Sequence, residues 1–310
     1  MALNFTDVNL TGDYAAPYLV KALTGFETAQ TGNIFIKDKS KKVENMKRIT
    51  VDSLIQDYAA EPVSAGNINT TKRQMTMENW NLYFEFNPRE YESVLDGDYN
   101  YDLLDPSLPQ NETSVFISEV LKFHDNYVET ATWQSVSAGT APYDKIDGII
   151  QRLITDSDGD VIQVGTHAVL TSANILAKML ATRDKIPAAL ELNPKTKFYV
   201  SRATWKLYSD AQKAQPNKGV DITKRGELFY DGYEVFPLVG VPNDTIIVAQ
   251  GSADRGSNFQ MNINTKADFA EVKVMPKNNY SDLWFLKMSL AAAVNYGWGS
   301  EIVFYHSSNA

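Results

Sequence analysis

Cysteine is absent from the 310 residues, which removes disulfides, thiolate nucleophiles and Cys-ligated metals together. Histidine is scarce: His124, His167 and His306 stand far apart, in none of the spacings through which paired histidines hold zinc. Both glycine-rich phosphate loops, Gly-x-x-x-x-Gly-Lys-Ser/Thr and Gly-x-Gly-x-x-Gly, are missing. The YGWGS near the end is too short and too aromatic to replace them. No Gly-x-Ser-x-Gly elbow presents a serine. A Ser-His-Asp set that converges only in the fold leaves no trace in a sequence, so each histidine is read as a surface or packing residue. No catalytic residue, no cofactor and no cofactor-binding residue is expected.

The opening MALNFTDVNLTGDYAAPYLV lacks both the basic start and the apolar core of a signal peptide, so synthesis in the cytosol is expected. The Asn-x-Ser/Thr sequons at Asn4 and Asn111 are then incidental. LWFLKMSLAAAVNYGW, the most apolar stretch, contains Lys287 and is too short for a membrane span. Basic residues are in deficit, 29 against 38 acidic, for a net charge of -9. That balance opposes tight sequence-independent binding of nucleic acid, which needs Lys and Arg to displace counterions, but it permits a protein that surrounds nucleic acid.

What is present is an ordinary globular balance, 44% hydrophobic and 22% charged, in a chain long enough to bury a sizeable core. Sixteen Tyr, 14 Phe and 5 Trp supply large surfaces for cores or for contacts between proteins. Residues 1–32 are broken by Gly12, Pro17, Gly25 and Gly32 and are read as an extended arm with one helix near APYLVKALTGFE. Residues 33–87 carry β-type alternation at Ile34 and Ile36, at Met75 and Met77, and at Leu82, Phe84 and Phe86, around a polar middle. They read as a long β-hairpin with too few apolar residues for a core of its own.

After Pro106 and Pro109, NETSVFISEVLKFHDNYVETATW predicts a long helix capped by Asn111 or Thr113. Phe116, Val120, Phe123 and Tyr127 are placed on one stripe that should face a sheet. TSANILAKMLATRDKIP and the stretch from Ser201 predict two further helices. GELFYDGYEVFPLVGVPNDTIIVAQGSAD reads as strand, turn, strand, Pro-bounded loop and strand.

Asp156, Asp158 and Asp160 in DSDGD alternate as calcium ligands do and form the one weak metal candidate. Gly159 and His167 sit where an EF-hand needs other residues. Between RLIT and VIQV, a hairpin turn at Asp158-Gly159 is the preferred reading, and no metal is expected. The run KDKSKKVENMKR, with Lys37, Lys39, Lys41, Lys42, Lys47 and Arg48, is the one basic patch. Without interleaved aromatics it does not suit base stacking. It is either a solvated hairpin face or a docking surface for an acidic neighbour.

Taken in order, these pieces resemble the major capsid proteins of tailed double-stranded DNA phages, the Hong Kong 97 capsid fold. The resemblance rests on GTAPYDKIDGIIQRL after the long helix, on KFYVSRATWKLYSDA followed by YDGYEVFPLVGVPNDTIIVA, and on the strands leading to AAAVNYGWGSEIVFY. Gly232 in the Tyr-Asp-Gly-Tyr-x-Val turn and Pro242 in the Val-Pro-x-Asp loop look like the family's tip-domain signature, although each is first a turn or loop residue.

The resemblance implies an α+β fold: an N-terminal arm (1–32), an E-loop hairpin (33–88) and a peripheral domain (89–167) with a spine helix over about 111–134. An α/β axial domain (168–262) and long returning strands with a C-terminal strand (263–310) complete it. It further implies a non-enzymatic shell subunit that forms pentamers and hexamers of an icosahedral head around double-stranded DNA, without sequence-specific binding and without a membrane. Assembly in the host cytoplasm into the virion, a portal, and a separate scaffolding protein are expected, the last because only residues 1–32 precede the hairpin. Contacts between subunits would involve the basic run, Gly232 and Pro242. An encapsulin-like compartment with the same fold is the alternative, and a cytosolic hydrolase without a recognisable motif is the alternative from another class.

Overall fold

Thirteen consecutive residues, Trp284–Tyr296, form the strand on which half of the molecule is organised. The computed structural model describes residues 8–11, 15–52, 55, 57–58, 60–61, 66–87, 112–156, 158–165, 168–215, 228–265, 271–278, 280 and 282–307. In chain order the elements are β1 (Val8–Thr11), α1 (Ala16–Thr24), α2 (Glu27–Gln30), β2 (Phe35–Lys37), β3 (Val43–Asp52), β4 (Asn67–Thr76) and β5 (Glu78–Phe86). Then come α3 (Glu112–Gln134), α4 (Ile149–Ile154), β6 (Ile162–Gln163), α5 (Ile175–Arg183), α6 (Ala188–Glu191), β7 (Thr196–Ser201) and α7 (Arg202–Lys213). The chain closes with β8 (Phe229–Tyr230), β9 (Tyr233–Leu238), β10 (Thr245–Gln250), β11 (Phe259–Ile263), β12 (Glu271–Pro276), β13 (Trp284–Tyr296) and β14 (Val303–His306).

The first sheet has the order β1-β12-β13-β11-β2, with β5 also paired to β13 over nine residues, Trp284 opposite Phe86 through Ala292 opposite Glu78. β13 alternates in burial at its start and is buried at every position from Leu290 to Tyr296. The change has a local cause. Ala291 and Ala293, on the face opposite the main core that Ala292 joins, are short enough for the base of the β3–β4 pair to lie there, and Met75, Met77 and Ala293 form a small apolar cluster.

The second sheet has the order β6-β14-β10-β7-β9-β8. Its central strands, TKFYVS and TIIVAQ, are almost wholly buried, as near-continuous apolar runs require when both faces are covered. α5 and α7 pack on one face, and the Ser201 hydroxyl caps α7 by accepting the Thr204 N–H. β14 pairs with β10, so the last strand belongs to this sheet and not with the long returning strands. β11, expected in the axial segment, pairs with β13 in the first sheet.

Two expectations need correction. Residues 15–32 do not form an arm lying on another surface: Tyr18, Leu19, Ala22, Leu23 and Phe26 are buried in the chain's own core, packed with α3 and the first sheet. On α3, which does run Glu112–Gln134, the buried stripe is Ile117, Leu121, His124, Val128 and Ala131. The predicted stripe is therefore displaced by one residue. Val120 and Tyr127 are only partly buried, and Phe123 is 77% exposed; the Phe116 side chain lies outside the described residues. The cause is composition: apolar residues cover two adjacent stripes of this helix, and the buried one includes polar His124, which masks it from a hydrophobicity count.

The two stripes separate by mutation. Leu121→Ala should cost about 2–5 kcal/mol in urea unfolding of the isolated chain, as buried leucines do. Phe123→Asp should stay within about 0.5 kcal/mol of the unsubstituted chain, as exposed sites do. Equal losses would restore the original stripe.

Candidate functional site

Three features of the surface and of the joints beneath it are built for contacts. The first is the β3–β4 hairpin, whose ten paired positions run from Val43 opposite Thr76 to Asp52 opposite Asn67. Because side chains alternate, Met46, Arg48, Thr71, Arg73 and Met75 share the face turned to the chain's own body, and Val43, Lys47, Ile49, Val51, Ile68 and Lys72 share the other. Ile49, Val51 and Ile68 are exposed there.

The basic residues divide between these surroundings. Lys37 pairs with Glu44, and Arg48 pairs with Glu301 while its guanidinium lies 5.2 Å from the ring centre of Trp298. Arg48 is thus engaged within its own chain. Lys39, Lys41, Lys42 and Lys47 are exposed, and Lys39 takes a left-handed backbone at φ 55°.

Arg73, which sequence reasoning missed, is the better-held arginine. Its Nη2 lies 2.9 Å from Asp158 and 3.1 Å from Asp160, its Nη1 lies 3.8 Å from Asp156, and its Cζ stands 4.1 Å from the ring centre of Tyr296. The carboxylates of DSDGD therefore gather around a guanidinium. The hairpin-turn reading of that segment is overturned: α4 precedes it, and β6 after it runs parallel to β14 instead of back along its predecessor.

Asp156 also accepts the Tyr296 hydroxyl at 2.8 Å and the Val161 amide at 2.9 Å, and Asp160 accepts the Gly299 amide at 3.0 Å. Burial pushes the Asp156 carboxyl up, but these donors and the Arg73 charge outweigh it and hold it below the usual carboxylate range. The signal that could have pointed to Arg73 is its isolation among Thr, Lys and Gln on an otherwise polar strand.

The second feature is a groove of about 370 Å³ between β5 and α3, lined by Trp80, Leu82, Phe123, Tyr127, Pro142 and Tyr143. His124, Tyr127 and Tyr143 stack in succession with ring centres 5.5 and 5.4 Å apart. His124 Nε2 and Trp80 Nε1 are buried without a hydrogen-bond partner. Burial alone drives the His124 pKa down to about 4, so the ring is neutral. Its neighbour Asp125 is pushed up to about 6 by burial, against the pull of Lys21.

The third is a buried joint. Glu129 on α3 accepts the Thr28 amide at 2.8 Å, the Thr28 hydroxyl at 2.7 Å and the Gly240 amide at 3.3 Å, and the Trp133 indole donates to Thr28 Oγ1 at 2.9 Å. A Cβ at Gly240 would meet Trp133 at 2.3 Å and the Glu129 carbonyl at 2.6 Å, so only glycine lets the β9–β10 loop close on the helix.

Gly232, with φ +87°, follows Asp231 at φ 50° in the tight β8–β9 turn, far from the DSDGD cluster in sequence, and Pro242 is half-buried in the β9–β10 loop. Neither joins the basic run in one site. Among the histidines, His306 is half-buried and stacks on Phe304 with centres 4.9 Å apart, and His167 lies outside the described residues. Among the described residues no helix is long and apolar enough to cross a membrane.

No family model and no curated protein matches the chain. Solved structures do. A chain of the procapsid of satellite phage P4 matches with a TM-score of 0.66 at 10% identity, covering 98% of this chain and 93% of that one. A capsid chain of the empty GTA particle matches with a TM-score of 0.56 at 10% identity, covering 93% and 90% respectively. The virus-like particle of Pyrococcus furiosus matches with a TM-score of 0.52 at 7% identity, covering 95% and 99%.

The groove carries a pH signature. His124 has a folded pKa below its ordinary value, so its contribution to stability is present above about pH 6.5 and is lost as the pH falls towards 4. His124→Leu lacks that loss. Between pH 7.5 and 5.5 the stability of the variant relative to the unsubstituted chain should rise by about 1 kcal/mol in urea titrations. Asp125 is common to both proteins and drops out of the difference. Parallel pH profiles would mean the ring is not held neutral.

Proposed function

We propose, from the premise that the chain has the Hong Kong 97-type capsid fold, that it is the structural subunit of a closed icosahedral shell, the major capsid protein of a tailed double-stranded DNA phage. The observation that carries this reading is the end-to-end likeness to a procapsid chain, spanning 98% of this chain and 93% of that one. A hairpin with an exposed apolar face and no core of its own fits a subunit whose work is its contacts, because such a face gains stability only when a neighbour covers it.

On this reading subunits gather as pentamers and hexamers, the second sheet lies near the symmetry axes, and the hairpin overlies a neighbour. A separate scaffolding protein and a portal direct assembly in the host cytoplasm, the virion holds the finished shell, and no chemical step is catalysed. The net charge of -9 suits a wall that encloses DNA without trapping it. A second reading is a compartment of the same fold enclosing protein cargo, since one matching chain comes from a virus-like particle of Pyrococcus furiosus and not from a named phage.

Sedimentation and negative-stain imaging of the purified chain should give pentamers, hexamers or closed shells, and a stable monomer at all concentrations would end the reading. Particles recovered from the native source decide between its two forms, since the phage shell holds DNA and the compartment holds protein.

A second test concerns the exposed lysines before β3. Lys41→Glu with Lys42→Glu should lower particle yield and thermal stability, more at low than at high salt, because exposed charges are screened. Each such pair is worth roughly 0–1 kcal/mol, but a shell repeats it at every subunit. Normal assembly with less packaged DNA would place these lysines against the genome instead.

A further inference from the structure

Arg48 and Arg73 are held in the same way. Each guanidinium lies over one aromatic ring, Trp298 for Arg48 and Tyr296 for Arg73, and each is paired with carboxylate, Glu301 for the first and Asp156, Asp158 and Asp160 for the second. The two rings are two residues apart just beyond and at the end of β13, and the two arginines come from the two strands of the hairpin on one face, with Arg48 opposite Thr71 and Arg73 opposite Met46. Stacking over a ring combined with a carboxylate pair is the geometry a planar guanidinium satisfies and an ammonium does not.

The two points share a support. Asn258 Oδ1 accepts the Gly297 and Trp298 amides at 2.9 and 2.7 Å, and Asp160, which holds Arg73, also accepts the Gly299 amide at 3.0 Å. The turn that presents Trp298 and Glu301 to Arg48 is therefore fixed partly by a carboxylate that Arg73 neutralises. With Arg73 removed, three carboxylates whose oxygens lie within 4.8 Å of one another would repel, and the turn would loosen with them.

Among the described residues the hairpin's strands pair only with each other. Apart from the two arginines, its ties to the body lie at the base: the Met75–Met77–Ala293 cluster, the bond from Asn295 Nδ2 to the Gln74 carbonyl, and the contacts of Glu44 with Lys37 and with Asn262 Nδ2. A two-stranded ribbon held only at its base twists freely.

We propose that Arg73 and Arg48 are positioning residues: a coupled pair of stacked clamps that fixes the roll of the hairpin, so that Ile49, Val51 and Ile68 face outward towards a second copy of this chain. This rests on the reading of the chain as a shell subunit, and the clamp itself is a property of the single chain.

The absence of cysteine allows a direct test. Spin labels are placed on Val51→Cys in the hairpin and Leu192→Cys on the body, both exposed, in the full-length chain, and the distance distribution is read by pulsed electron resonance before assembly. A single narrow distribution is expected, broadened several-fold by Arg73→Gln and only partly by Arg73→Lys, which keeps the charge without the fork. Arg48→Gln added to Arg73→Gln should broaden it little further, because the clamps are coupled. Asp158→Asn, at an exposed position, gives the same trend more weakly should Arg73→Gln fold poorly.

An unchanged distribution in the double variant would overturn the clamp. A broadened distribution with an unaltered rate of particle formation would overturn its role in presenting the hairpin. If the unsubstituted chain forms no particles while the distances behave as expected, the shell reading fails and the clamp stands.

Discussion

Glu129 is a carboxylate buried to 3% exposure that no cation neutralises within hydrogen-bond distance among the described residues; backbone and hydroxyl donors do the work instead. Burial raises its pKa, and the donors from Thr28 and Gly240 work against that shift. Three pieces of chain distant in sequence meet at this one side chain: the α1–α2 region, the long helix α3 and the loop between β9 and β10. Because an unsatisfied buried carboxylate is so costly, the three must arrive together with good geometry or not at all. The mutual placement of the two sheets follows, since α3 lies on the first and the β9–β10 loop belongs to the second. Trp133, Tyr199 and Phe259 fill the space beside the joint, with ring centres 5.3 to 6.2 Å apart.

Around this fixed body the parts differ in how much they depend on a partner. The second sheet is complete: its central strands are covered on both faces, and its outermost strands, β6 and β8, are only two residues long, which leaves little edge for another chain to extend. The hairpin is the opposite, ten residue pairs with polar and β-branched side chains and two arginines for moorings. On the reading of the chain as a shell subunit, a body complete in itself with one projecting ribbon keeps the hairpin's contacts with neighbours outside its core.

Much of the order of elements was legible from the sequence because it is written in local signals. Pro106 and Pro109 followed by an apolar helical pattern mark α3, although Thr113 lies inside the helix and Asn111 outside the described residues; Ser201 marks the start of α7, and Asp231-Gly232 marks a tight turn. What failed depends on contacts between distant residues. Phe123 looks like core until β5 is seen to leave a groove beside it, and His124 looks like surface until it is found behind that groove. Residues 15–32 look like an arm because glycines interrupt them, yet Gly25 admits the Asp125 side chain at a spacing no Cβ would permit, and the segment folds inward. The DSDGD run invited comparison with turns and cation loops because its nearest cation, Arg73, is more than eighty residues away in sequence.

The hairpin enters from β2 through residues 38–42 and leaves through one residue, Met77, between the end of β4 and the start of β5, and β5 is hydrogen-bonded along its length to β13. A pull that passes through Met77 along the direction of β5 loads that strand parallel to its length. Nine residue pairs would then have to slide at once, whereas a pull across the strand would break them one after another. The part of a load that takes this route is carried in shear by the longest strand pair of the first sheet.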